Sequence, residues 1–355
     1  MAKSLEQLVE EANAELTAPG QTTVLGGSEN ETPRFELYHA PFSICSQKVR
    51  TVLIERDLAF TSHALNLPVS ETQSADSYRV SYVRLRMLVA PKTGLVNGYT
   101  GQSSVAAEGF DPCVVPTLVD HEQESVLVDA TEICDYLDRE AGGLVSLVPD
   151  DIAEDVHEQV ALVDEAPHPA VLYGASPDGE DIRPETFAIP ITGSPGHAVK
   201  HLSRIKESVA SEPELVAAYD AKIARQSSAQ RFIYDRAAMI DAYARMSKHV
   251  DQLEAYLSDR GGKWACGDRY TMADIMWSAS LFRLKWLGLG RLWEVEGSAP
   301  AVRAYVERAF MRPSFRRAVI DWPMGTPPSR HIEHSAAYAQ ELFRVWKAMR
   351  EVTDA

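Results

Sequence analysis

From Asp151 onward the chain shows no strand alternation, and apolar residues recur there only at helical spacing. Ile152 to Asp164, Glu214 to Gln226, Ala237 to Leu257, Thr271 to Leu287, Ala301 to Ala309 and Ile332 to Val352 each read as helices. Strands are therefore confined to the first part of the chain, which must divide into a mixed portion and an all-helical one. Pro167, Pro169, Pro177, Pro184, Pro190 and Pro195 interrupt the helical pattern, so residues 166–197 are expected to be a loop. With 355 residues, 45% of them hydrophobic, the chain can fill two separate cores.

The first part opens on a short amphipathic helix from Ser4 to Leu16, ended by Pro19-Gly20. A polar linker rich in Gly, Thr, Ser, Asn and Glu then runs to Pro33, so residues 1–33 read as an extension outside the core fold. From Arg34 the pattern changes. Phe35 to His39 alternates as a strand, Pro41 breaks it, and Ser43 opens a helix with Val49, Val52, Leu53 and Leu58 inward. Phe60 to Leu67 reads as a second strand, followed by a helix containing Tyr82, Val83, Leu85 and Leu88. A Gly/Ser-rich insertion occupies 93–111. Val114 to Asp120 and Ser125 to Asp129 are paired strands, and Ala130 to Arg139 is a helix. The order β-α-β-α-β-β-α is that of a thioredoxin-like domain, here over 34–145, and an all-helical domain covers 151–350. The fold class is α+β.

A formal net charge of -16 makes nucleic acid and anionic membranes poor partners, since the surface repels phosphate. The N-terminus is polar and acidic, and no run is long and apolar enough to span a bilayer. Cys45, Cys113, Cys134 and Cys266 fit neither a zinc pattern nor a disulfide framework, and free thiols suit a reducing cytoplasm. The ten histidines form no ligand pair, so no metal is expected.

Chemistry concentrates at Ser43-Ile44-Cys45-Ser46. Ser43 is placed to cap the helix, which puts Cys45 and Ser46 in its first turn. Unpaired N–H groups and the positive end of the helix dipole stabilise an anion there, and a thiol so placed ionises more readily. Lys48 and Arg50 add positive charge nearby. The thiolate served can be Cys45 itself or the sulfur of a bound thiol; alternatively, Ser43 only caps and Cys45 only packs. Val115-Pro116 enters a strand, and a cis bond there leaves the backbone of Val115 available to an extended peptide. Asp129 precedes a helix, where it can cap or hold an amino group, and the N–H groups that follow can take a carboxylate. Thr271 to Asp274 has the form of a capping box and reads as structural.

Together these segments resemble the glutathione S-transferase superfamily over roughly 34–325. The resemblance is to its branch of reductive dehalogenases acting on chlorinated hydroquinones. It is carried by Phe42 to Arg50, Tyr82 to Arg86, Thr100 to Glu122, Leu172 to Glu185 and Gly267 to Gly288. It implies glutathione as co-substrate, held at Ser43, Val115, Pro116, Asp129 and Ala130, with Ser43 and Cys45 catalytic and Ser46, Lys48 and Arg50 in support. It also implies a homodimer acting on a small aromatic substrate. In the implied reaction, glutathione thiolate displaces chloride, Cys45 takes the sulfur from the resulting thioether, and a second glutathione releases Cys45. Ala130 departs from the serine usual at that position; losing one hydrogen bond of about 0.5–1.5 kcal/mol weakens glutathione binding without abolishing it. Two alternatives stay open. One is another glutathione enzyme of aromatic catabolism: a glutathionyl-hydroquinone reductase, an aryl-ether lyase or a ring-cleavage-product isomerase. The other is a non-catalytic interaction module.

Overall fold

The computed structural model describes residues 3–16, 22–26, 32–67, 69–89, 94–102, 104–143, 145–177, 181, 183 and 185–322. The first domain runs α1 (Leu5–Leu16), β1 (Thr22–Leu25), β2 (Phe35–His39), α2 (Ile44–Glu55), β3 (Phe60–Ala64), α3 (Val80–Arg86), α4 (Val105–Glu108), β4 (Thr117–Asp120), β5 (Ser125–Val128) and α5 (Ala130–Glu140). The strands form one five-stranded sheet in the order β1-β3-β2-β4-β5, with β2 and β3 parallel and every other pair antiparallel. All five residues of the central strand β2 are buried, because helices cover both faces. Phe35 and Leu37 pack with Val49, Val52 and Leu53 of α2 and Ile133 and Leu137 of α5. On the opposite face Tyr38 packs with Leu8, Val9, Ala12 and Leu16 of α1 and Tyr82 and Leu85 of α3.

The N-terminal segment is thus part of this domain's packing and not a detached extension. Helix α3 has seven residues, too short to cover a sheet face alone, and α1 completes the cover. Strand β1, hidden in the sequence by its polar flanks, pairs with β3 from Thr22↔His63 to Leu25↔Phe60. Asn13 donates to Glu36 Oε1 at 2.7 Å and accepts from the Tyr38 hydroxyl at 2.7 Å, tying α1 to β2.

Glu36 is itself buried between two histidines. His63 Nε2 bonds Oε1, and His121 Nε2 lies 2.8 Å from Oε2. Burial alone would raise the carboxyl, but bonds from His121, His63 and Asn13 prevail and hold it well below the ordinary carboxylate range. The hydrogen bond to Glu36, more than burial, holds His121 above the ordinary imidazole value. A depressed carboxyl stabilises the fold above its unfolded pKa of about 4.3 and loses that contribution as pH falls. A raised histidine contributes fully below about 6.5 and loses its contribution as pH rises past its folded value. The network therefore favours mildly acidic solution. Between about pH 5 and pH 3 the melting temperature should fall more steeply for the wild type than for Glu36→Gln. Parallel slopes in thermal melts of the two would contradict this assignment.

The second domain is helical: α6 (Ala153–Asp164), α7 (His168–Tyr173), α8 (Glu185–Ser208), α9 (Pro213–Tyr234), α10 (Arg236–Arg260), α11 (Met272–Trp286), α12 (Arg291–Glu294), α13 (Pro300–Phe310) and α14 (Pro313–Phe315), then one π turn over Arg316–Ile320. Helices α7 and α8 replace much of the loop expected over 166–197. Pro167 and Pro169 fall at the start of α7, where a missing N–H is tolerated. Pro195 lies inside α8, which continues because it packs along α9, with Ala198 and Leu202 against Leu215, Ala218 and Tyr219. Helix α11 is buried along nearly its whole length, and Thr271 and Asp274 form the capping box at its start. The helix expected from Ile332 to Val352 lies outside the described residues.

Candidate active site at the start of the second helix

The turn between β2 and α2 is built from its own polar groups. Ser43 caps α2, its Oγ accepting from Ser46 N–H at 3.3 Å. Ser46, fully buried, accepts from Ala40 N–H at 3.2 Å through its own Oγ. Gln47 Nε2 donates to Pro41 O at 3.3 Å. Arg50 then donates to Ala40 O at 3.2 Å, to Pro41 O at 3.1 Å and to Ala318 O at 2.8 Å. Its guanidinium is taken up by carbonyls and lies over the Trp322 ring, so it braces the turn; burial brings it down to about 9. Ser46 and Arg50, both expected in support of the site, bond the backbone of this turn. Arg283 of α11 adds a further bond, to Phe42 O, from the helical domain.

Cys45, the second residue of α2, is half-buried, whereas Cys113, Cys134 and Cys266 are buried. Burial pushes the Cys113 and Cys134 thiols up, and that of Cys266 to about 12, which disfavours the thiolate at all three. Lys48 lies one turn beyond Cys45, with Nζ 2.7 Å from Asp164 Oδ1. Burial works against its charge, but Asp164 and then Cys45 outweigh it, so its pKa is raised and it stays a cation. Lys48 thus keeps its positive charge one turn beyond Cys45.

Asp164 carries the connection to α5. Its Oδ2 accepts from Thr131 Oγ1 at 2.6 Å. Asp129 caps α5, with Oδ1 accepting from Thr131 N–H at 2.9 Å and Glu132 N–H at 3.3 Å. Its φ of 74° is one that non-glycine residues rarely adopt. Burial, foremost, raises its carboxyl. Ala130 follows as the first helical residue. The third segment is Val115-Pro116, whose peptide bond is cis. Thr117 pairs with Tyr38, so Val115-Pro116 leads into β4 at the end of the sheet where β2 stops. Among the described residues no backbone hydrogen bond takes the N–H or C=O of Val115. The structure thus brings Ser43, Cys45, Lys48, Val115 and Asp129 to the end of the sheet where β2 gives way to α2.

Sequence reasoning missed the groups that hold these segments from afar. Arg86 donates to Pro116 O at 2.6 Å and Thr117 Oγ1 at 2.7 Å, and the Tyr82 hydroxyl donates to Val114 O at 2.8 Å. Glu108 and Asp111 of the insertion pair with Arg225 and Lys222 of α9, each at 2.6 Å. Their signal was present as carboxylates in a Gly/Ser-rich segment and cations on a helix, but nothing local pairs them. Phe42 lies against Trp286 at 5.9 Å between ring centroids, while Trp277 is core, its Nε1 donating to Gln159.

Comparison with known proteins gives a consistent result. Residues 42–140 match the family model described as glutathione S-transferase, N-terminal domain, and residues 216–308 match that of the C-terminal domain. The chain is 39% identical over 346 residues to a 2,5-dichlorohydroquinone reductive dechlorinase of Sphingobium indicum, covering 94% of this chain and 99% of the relative. It is 24% identical over 302 residues to a tetrachloro-p-hydroquinone reductive dehalogenase of Sphingobium chlorophenolicum, covering 82% and 99%. Among solved structures, a beta-etherase from a Sphingobium species aligns with a TM-score of 0.50 at 17% identity, covering 80% of this chain and 98% of that one.

Proposed function

The chain belongs to the glutathione S-transferase family, on the branch that holds the chlorohydroquinone reductive dehalogenases, and from that premise we propose that it replaces a ring chlorine of a chlorinated hydroquinone by hydrogen. Two glutathiones supply the electrons and leave as glutathione disulfide. The observation that carries this reading is a capping hydroxyl, Ser43, and an accessible thiol, Cys45, in one helical turn beside the cation Lys48. A glutathione conjugation needs only the hydroxyl. A thiol there adds the capacity for sulfur exchange.

In this reading residues 34–145 hold glutathione and residues 151–350 hold the ring. Asp129 takes the amino group of the γ-glutamyl unit, the N–H of Ala130 its carboxylate, and the backbone of Val115, held by Pro116, pairs with the cysteinyl unit. Ser43 donates to the glutathione thiolate. That sulfur bonds to the ring carbon of a substrate tautomer, and chloride leaves with its electron pair. Cys45 thiolate then attacks the thioether sulfur. The carbon–sulfur bond breaks, its electron pair takes a proton at carbon, and a mixed disulfide stays on Cys45. A second glutathione thiolate restores Cys45. None of the four cysteines forms a disulfide, which suits a reducing cytoplasm, and the family resemblance supports a homodimer. Among the described residues no helix is long and apolar enough to cross a membrane.

Anaerobic incubation with 2,5-dichlorohydroquinone and excess glutathione tests the reading. Chloride and glutathione disulfide should appear in equal amounts. Glutathione binding without chloride would move the function to another glutathione-dependent reaction. Ser43→Ala should slow chloride release about 10–100-fold, the value of one hydrogen bond to a charged group. It should also cost about 1 kcal/mol of stability through the lost cap. An unchanged chloride rate in Ser43→Ala would remove Ser43 from the mechanism.

A further inference from the structure

We propose that Arg86, Asp111 and Lys222 are positioning residues for glutathione: acting through the turn 111–116, they hold the backbone of Val115 in place for the cysteinyl unit. This inference rests on the reading that glutathione pairs with Val115. It starts from an imbalance along one short segment. Cys113 N–H donates to Asp111 Oδ1 at 2.9 Å. Val114 O accepts from the Tyr82 hydroxyl at 2.8 Å, and Pro116 O from Arg86 Nη1 at 2.6 Å. Thr117 Oγ1 accepts from Arg86 as well, at 2.7 Å, and Thr117 pairs with Tyr38 of β2. Val115 lies in the middle of this series, yet among the described residues no backbone hydrogen bond takes its N–H or C=O. The residue is buried, and buried backbone groups in native folds nearly always find a partner. The backbone of a peptide ligand can supply one, in the manner of an added strand.

The hold on this segment comes from both domains. Arg86 ends α3 and is 2% exposed. Its Nη2 donates to Asp111 O at 3.0 Å while its Nη1 holds Pro116 O, so one flat guanidinium spans the two ends of the turn. Asp111 holds the turn from the other side. Its Oδ2 accepts from Lys222 Nζ of α9 at 2.6 Å, with Arg225 Nε 3.7 Å away. Burial works against this charge, but Lys222 and Arg225 outweigh it and keep the carboxyl below its usual range. The carboxylate is thus fixed at one oxygen by the helical domain and offers the other to Cys113 N–H. The inserted segment that carries Asp111 is anchored in the same way. Glu108 Oε2 accepts from Arg225 Nη2 at 2.6 Å, and its Oε1 from Thr100 N–H at 2.7 Å. Glu108, Asp111, Lys222 and Arg225 are all buried. Ion pairs so deep are often no more stabilising than well-packed apolar side chains. What they add is direction, and here the direction ends on the segment that carries Val115.

The test measures glutathione affinity by calorimetry, with KM and kcat for chloride release, in wild type, Arg86→Lys and Lys222→Met. Lys222 reaches the turn only through the Asp111 carboxylate, so any effect on glutathione must pass through it. Both variants should bind glutathione about tenfold more weakly, with KM raised to match, the scale of one hydrogen bond. The kcat at saturating glutathione should change less than about threefold, since pairing with Val115 is the same before and during the reaction. Glutathione methylated on its cysteinyl nitrogen should bind wild type about tenfold more weakly than glutathione itself, and this gap should close in Arg86→Lys. Tyr82→Phe, which removes only the hydroxyl on Val114 O, should show the same rise in KM and replaces Lys222→Met if that protein fails to fold. Wild-type glutathione affinity in the variants, with a lower kcat or melting temperature, would overturn the inference and leave these residues a role in folding alone. A methyl group that costs wild type nothing would instead overturn the pairing with Val115 on which the inference rests.

Discussion

In a Cys45→Ser protein chloride release should continue while formation of glutathione disulfide falls at least about a hundredfold. The two halves of the reaction separate because they ask different things of α2. Displacing chloride needs a stabilised glutathione thiolate, which Ser43 and the helix start still provide. Releasing the ring needs a protein sulfur that can become half of a disulfide, and a serine oxygen cannot. The aryl glutathione thioether should therefore accumulate to the level of the chloride released. No other cysteine can substitute, since Cys113, Cys134 and Cys266 are all buried. Chromatography of the reaction mixture against chloride determination checks this. Disulfide formed at the wild-type rate would mean that free glutathione reduces the thioether unaided, which leaves Cys45 a packing residue.

Arg50→Met should have the largest effect on stability, about 3 kcal/mol. Arg50 is fully buried and holds the carbonyls of Ala40, Pro41 and Ala318 together, with His39 Nδ1 3.0 Å from its Nη1. Each carbonyl left unsatisfied costs about 1–3 kcal/mol, partly offset by no longer burying a charge. Arg50→Lys should recover little, because an ammonium cannot reach acceptors on opposite sides as the flat guanidinium does. Activity per folded molecule should fall as well, since the turn it braces carries Ser43 and Cys45. Urea melts of the three proteins read the effect. A loss under about 1 kcal/mol for Arg50→Met would show that the turn holds without its brace.

Local chemistry was legible in the sequence, and long-range pairing was not. A strand, a proline, a capping serine and a thiol within a few residues announce the β2–α2 turn, since capping and helix polarity act over one turn. The four strands from Phe35 onward and the Thr271–Asp274 capping box were legible for the same reason. Arg50 read only as a nearby charge, because its partner Ala318 lies 268 residues away. Glu108 and Arg225 are 117 residues apart, so the insertion's attachment to α9 had no sequence signature. Four residues of β1 inside a Gly/Thr/Asn-rich stretch carried too little pattern to be read as a strand, and only pairing with β3 makes them one. The prolines of 166–197 marked a break that packing against α9 overrides.

The central claim is that the sulfur leaving the ring passes through Cys45. A single turnover of an isolated hydroquinone glutathione thioether, quenched in acid and digested, tests it by peptide mass spectrometry. Glutathione in disulfide linkage on the Cys45 peptide, formed as the free hydroquinone appears and removed by added glutathione, is the result predicted. Hydroquinone released with Cys45 unmodified throughout would contradict it.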